Sequence, residues 1–258
     1  MTACRRFDIF KEVTMNILFL GNSLIFYNDL PAMFERLARA AGKEITVGSV
    51  TKGSATVSHF ASETDPLGQR AREALTAQRW DYVLIEPSRR ITPFEDSVLQ
   101  AETEAAKTVQ QLAAQAGAEI LLYAVWGNND GVLRECVAEE PPHMPFVRPH
   151  PISRAAHTQF LHDTSHRISA ALGGALIAEA GYAFENMIEA DPTVELYHTD
   201  LRHPSPAGTY LTACTLLATL CGERTEGIPP TEELPCTALQ RVADATVLSG
   251  KIPLACEG

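Results

Sequence analysis

Asp200 and His203 stand three residues apart, directly before Pro204-Ser205-Pro206, where a helix can begin. That spacing can bring a carboxylate and an imidazole to one place. Far upstream, Gly21-Asn22-Ser23-Leu24 closes a short apolar run and offers a hydroxyl. Serine, histidine and carboxylate are the parts of a nucleophilic acyl-transfer site. The imidazole takes the hydroxyl proton, and the carboxylate holds the imidazole in the tautomer able to do so. A serine between a strand and a helix also sits where backbone N–H groups point outward and stabilise an oxyanion. Each residue has a plainer reading as well: Ser23 as a helix cap, Asp200 as a carboxylate approaching a helix, His203 as one of eight histidines without a special role.

The other titratable residues read more blandly. His157, His162 and His166 fall on one helix, with His162 and His166 on a shared face. An i,i+4 pair can ligate zinc, but no matching acid or cysteine cluster is evident, so no metal and no cofactor are expected. His59 follows a loop after the second strand and is a candidate pocket residue. His143 and His150 are expected to face solvent. Trp126, at the end of a strand, suits an apolar or sugar-stacking wall, or equally the core. Six scattered cysteines (Cys4, Cys136, Cys214, Cys221, Cys236, Cys256) contain no C-x-x-C pair, which points to reduced thiols and a cytoplasmic setting.

The elements that must position these residues alternate along the chain. Asn16 to Leu20 read as a buried strand. Asp29-Leu30-Pro31 opens a helix with Met33, Phe34, Leu37 and Ala41 on one face and Gly42 as its stop. Strands follow at Ile45–Val50, Tyr82–Ile85, Ile120–Val125 and Ala175–Ala178. Helices follow at Gln69–Gln78, Ala101–Ala116, Arg154–Leu172 and Pro206–Cys221. This rhythm predicts a doubly wound α/β domain with a parallel sheet of about five strands. The domain is expected to span 15–222, with extensions at 1–14 and 223–258. Residues 127–153, rich in proline and starting at the end of a strand, read as an insert over the pocket, since sites form beyond the carboxyl ends of parallel strands.

With 258 residues, 45% of them hydrophobic, the chain is long enough for one well-buried core. A formal charge of −11 argues against nucleic acid as a partner. No apolar run reaches the roughly 18 residues of a membrane span. Met1 to Thr14 lacks the apolar core and small-residue cleavage site of a signal peptide.

Four segments resemble the SGNH (GDSL-type) hydrolases. Gly21-Asn22-Ser23-Leu24 resembles the nucleophile block, with Asn22 in place of the commoner Asp. Thr51-Lys52-Gly53-Ser54 resembles the second block, and Asp81-Tyr82-Val83-Leu84-Ile85 the strand leading to the third. Asp200-Leu201-Arg202-His203-Pro204-Ser205 resembles the final D-x-x-H-P-S block, the most specific match. Gly181 to Phe184, with Pro192 and Leu196-Tyr197, resembles the approach to that block in a bacterial branch.

The resemblance implies a flavodoxin-like three-layer α/β/α sandwich and serine ester hydrolysis, of the carboxylesterase or lipase-like kind. Its substrate would be a small-molecule ester such as an acylated carbohydrate or another small metabolite. It makes Ser23 the nucleophile, His203 the base and Asp200 its orienting acid, with Ser23 and Gly53 as backbone donors of the oxyanion hole. The third donor, an Asn or Gln in many members, falls at Glu86. That carboxyl is then protonated by burial, or has another role, or Ser88 or the Asn128-Asn129 pair donates instead. Asn22, Ser88, Trp126, Asn128 and His59 are the candidate pocket residues. A binding protein that keeps the pocket with little or no catalysis is the alternative. An anion- or nucleotide-binding flavodoxin-like protein is disfavoured by the lack of a glycine-rich phosphate loop.

Overall fold

The computed structural model describes residues 14–89, 96–131 and 152–249. Five strands, β1 (Thr14–Gly21), β2 (Glu44–Thr51), β3 (Tyr82–Ile85), β4 (Glu119–Tyr123) and β5 (Leu176–Ala178), form one sheet in the order β2-β1-β3-β4-β5. Every pairing is parallel. Parallel neighbours need crossover connections, and the intervening segments supply helices. These are α1 (Ser23–Phe26), α2 (Leu30–Ala40), α3 (Val57–Ala61), α4 (Pro66–Ala77), α5 (Asp96–Gln115), α6 (Arg154–Ala171), α7 (Ala180–Ala190), α8 (Pro206–Cys221) and α9 (Cys236–Leu248).

Strand alternation divides the interior into two layers. Ile17 and Phe19 of β1, Leu84 of β3 and Leu121 and Tyr123 of β4 pack toward α2, α7, α8 and α9. Leu18, Leu20, Val83, Ile85, Ile120 and Leu122 pack toward α3, α4 and α5. The result is the three-layer α/β/α sandwich that the sequence leads one to expect. Helix α8 is buried almost throughout, as a helix apolar all round must be. Its threonines satisfy their hydroxyls within the helix: Thr212 donates to the Gly208 carbonyl at 3.0 Å and Thr215 to that of Leu211 at 2.8 Å.

Several elements depart from the sequence reading. The fourth strand ends at Tyr123 rather than Val125, and Val125 is buried beyond its end. Gly181 to Phe184 lie inside α7. Residues after 222 are not a mere extension: α9 packs on α8, with Leu239 and Ala243 fully buried. The Asp244 carboxylate there accepts the Thr225 and Glu226 backbone N–H groups. Cys214, Cys221 and Cys236 are free thiols. Cys4, Cys136, Cys256, His143 and His150 lie outside the described residues, as does most of the 127–153 insert. Among the described residues, no helix is long and apolar enough to cross a membrane.

Candidate active site

The sheet register aligns the carboxyl ends of the central strands. Gly21 pairs with Thr51, and Leu20 with Ile85. Residues just beyond β1, β2 and β3 therefore meet at one edge, as parallel sheets require of their sites. A pocket of about 560 Å³ opens there, lined by residues including Asn22, Ser23, Gly53, Glu86, Ser88, Asn128 and His203.

Ser23 is the first residue of α1, whose cap is Asn22: the Asn22 side-chain oxygen accepts the Leu24 N–H at 3.0 Å. As a first-turn residue, Ser23 has an N–H with no acceptor in its own helix. His203 Nε2 lies 2.7 Å from Ser23 Oγ, and the Asp200 carboxylate is hydrogen-bonded to His203 Nδ1. Asp200 also accepts the backbone N–H groups of Arg202 at 3.0 Å and His203 at 2.9 Å. Burial is the largest single effect on it and opposes its ionisation. The hydrogen bonds from the His203 ring and these two N–H groups outweigh that and hold the carboxyl well below the usual carboxylate range.

The loop carrying Asp200 and His203 is pinned from several sides. The Arg202 carbonyl accepts both Trp126 Nε1 and Arg89 Nη1, each at 3.1 Å. The Leu201 carbonyl accepts the Asn129 N–H at 2.9 Å, with Leu201 itself in the left-handed region at φ 62°. At Gly208, in the first turn of α8, a Cβ would come within 2.3 Å of the Leu196 carbonyl oxygen, so only glycine lets this helix approach so closely. Asn28 ties the two halves together, donating to the Pro204 carbonyl at 3.0 Å and to Thr209 Oγ1 at 2.9 Å.

Sequence reasoning did not single out Tyr27 or Asn28. Tyr27 stacks flat on the His203 imidazole, with ring centroids 4.0 Å apart and planes 9° apart. Its place one helical turn after Ser23 was the available signal. Tyr27→Ala is expected to lower kcat about 3- to 10-fold through lost imidazole positioning, the usual worth of one aromatic pair. Tyr27→Phe should restore it. Steady-state kinetics on both variants checks this.

Similarity to known proteins lies in the fold. A candidate SGNH hydrolase from Slackia heliotrinireducens is 27% identical, with a TM-score of 0.59 over 80% of this chain and 99% of its own. The psychrotrophic esterase EstA from a Pseudoalteromonas species is 14% identical, with a TM-score of 0.52 over 80% of this chain and 97% of its own. The fold is that of the SGNH hydrolases. A DUF4886 family protein from Bacteroides uniformis, 16% identical, matches with a TM-score of 0.68 over 95% of this chain and 99% of its own. No protein-family model matches the chain, and no curated protein is similar to it.

Within this SGNH fold the remaining expected residues divide. Gly53, Ser88 and Asn128 line the pocket. A Cβ at Gly53 would meet no protein atom, so glycine there leaves room for a ligand rather than relieving a clash. Asn128 is placed by its neighbour: the Gly127 N–H donates to Thr158 Oγ1 and its carbonyl accepts the Tyr197 hydroxyl, both at 2.9 Å. Asn129 is instead turned toward Arg154 and the Leu201 carbonyl.

Two expectations fail. Trp126 is fully buried and stacked on Phe184 at 3.8 Å, because its indole serves the core and holds the Arg202 carbonyl. His59 closes a capping box with Thr56 at the start of α3 and does not line the pocket.

Glu86 is buried, and its Oε1 accepts the Asn22 side-chain amide at 3.1 Å. Its Oε2 has no hydrogen-bond partner among the described residues. Burial pushes its pKa up to about 7 against the smaller opposing effects of Arg89 and Asn22, with Glu102 adding to the rise. Asn22 at the usual aspartate position thus matches Glu86. An aspartate would set two carboxyls against each other, whereas the amide donates to either form of the acid.

Proposed function

We propose that the protein is a serine ester hydrolase that works through an acyl-enzyme on Ser23. The reading rests above all on the 2.7 Å contact of His203 Nε2 with Ser23 Oγ, with Asp200 engaged at the opposite ring nitrogen. With the Nδ1 proton held by Asp200, Nε2 accepts the Ser23 proton as Oγ attacks the ester carbonyl. The imidazolium then returns that proton to the departing alkoxide, which leaves as the alcohol. Water, deprotonated by the same nitrogen, attacks the acyl-enzyme and releases the acid. The Ser23 and Gly53 N–H groups are the backbone donors to the tetrahedral oxyanion.

The pocket lining combines Arg89, Arg202 and Asn128 with the exposed ring of Phe26. That lining suits a small polar ester, such as an acylated sugar, better than a long acyl chain. A fluorophosphonate probe should label the folded protein once, on Ser23, as read by peptide mass spectrometry. Failure to label folded protein would favour a binding role for the same pocket.

A further inference from the structure

We propose that His162, His166 and Glu179 form a binding site for a divalent transition-metal ion of the zinc class, clamping α6 to the corner between β5 and α7. The two histidines are one turn apart on α6 and present their rings to the same side, centroids 4.2 Å apart. Glu179 joins β5 to α7 and holds the N-cap position of α7, yet its carboxylate makes no capping bond. It turns instead to the histidines, with Oε2 2.9 Å from His162 Nδ1 and Oε1 2.8 Å from His166 Nε2.

One ligand atom from each residue falls within 4.8 Å of the other two. Donors around a tetrahedral zinc, each about 2.0–2.2 Å from the ion, stand about 3.3 Å from one another. Reaching that spacing opens the two hydrogen-bonded pairs by about 0.5 Å and closes the widest pair by up to about 1.5 Å, shifts that side-chain rotation supplies. Two imidazole nitrogens and one carboxylate oxygen are a ligand set that zinc and its neighbours favour over magnesium or calcium.

The surroundings suit a site with one open position. The His162 side chain is 13% exposed and that of Glu179 21%, whereas His166 is 53% exposed, which leaves a wet side for water as a fourth ligand. The Tyr182 ring lies 4.3 Å from His162, and its hydroxyl donates to Gln159, so it steadies the imidazole without competing as a ligand. β5 is the edge strand, separated from β1 and Ser23 by β3 and β4. The ion therefore fastens the sheet edge and takes no part in chemistry at Ser23. Sequence alone showed the histidine pair but not the acid, which comes from a different element 13 residues past His166.

Metal-free protein titrated with zinc chloride should bind one ion at this site by calorimetry. Zinc at about 100-fold excess over its Kd should raise the unfolding midpoint by roughly 5–10 °C. Glu179→Gln and His162→Asn/His166→Asn should each weaken that binding at least tenfold. Cobalt(II) should give a tetrahedral visible spectrum with the wild type that these variants lose. If the double variant does not fold, His166→Asn alone, at the most exposed of the three positions, carries the test. The proposal is overturned if the wild type shows no zinc response, or if zinc binds the variants as tightly as the wild type.

Discussion

Ser23→Ala is expected to reduce turnover of short p-nitrophenyl esters by about 10⁴-fold or more, with the unfolding transition unchanged. The size follows from how a triad works: once the nucleophile is gone, His203 and Asp200 have nothing to activate, and only binding and the backbone donors remain. The fold should survive because the hydroxyl has no packing role. Asn22, not Ser23, caps α1, and α1 is held by Leu24 and Ile25, which are buried in the core. Steady-state kinetics beside thermal unfolding checks both halves. Hydrolysis that persists at the wild-type rate would mean that another group attacks the ester.

The residues that could be found in the sequence were those whose signal is local. Asp200 and His203 are three apart and lie against the start of α8, so their proximity follows from chain geometry alone. The strands of the central sheet were legible because each is a short apolar run bounded by turns, as at Tyr82–Ile85. The missed elements had no such mark. α9 follows a segment rich in proline and acid, and its burial depends on meeting α8, which no local pattern reveals.

The same limit hid the site's supports. Tyr27 on His203, the Trp126 indole on the Arg202 carbonyl and Glu179 between two histidines are all contacts between distant segments. Trp126 illustrates the ambiguity well: an aromatic residue at a strand end fits a pocket wall and a core position equally. Only the stack on Phe184 decides between them.

Glu86→Gln is expected to gain stability relative to the wild type by about 3 kcal/mol as pH rises from below 4.5 to above 7. The native carboxyl titrates near 7, against an ordinary 4.5. Between those values the native state keeps a proton that the unfolded chain releases, so Glu86 lowers wild-type stability as pH rises. Glutamine has no such proton. His157 works in the opposite direction. Burial, then the Arg89 charge, lowers its pKa from 6.5 to about 4, so its contribution falls as pH drops. The two slopes oppose each other in the wild type, and Glu86→Gln leaves that of His157 exposed. Denaturant titrations of both proteins at several pH values measure the difference, and parallel profiles would refute it.

Activity supplies the second readout. The charges around Glu86 are Arg89 on its own loop and Glu102 on α5, with the neutral Asn22 amide beside it. As Glu86 ionises, a carboxylate appears in the pocket where negative charge develops on the substrate. Wild-type kcat/KM should therefore fall about tenfold or more above pH 7, whereas glutamine, which can donate, should hold its rate. If the stability difference appears without this change in the pH–rate profile, Glu86 is a buried structural acid. Asn128, which also faces the pocket, is then the donor to test next.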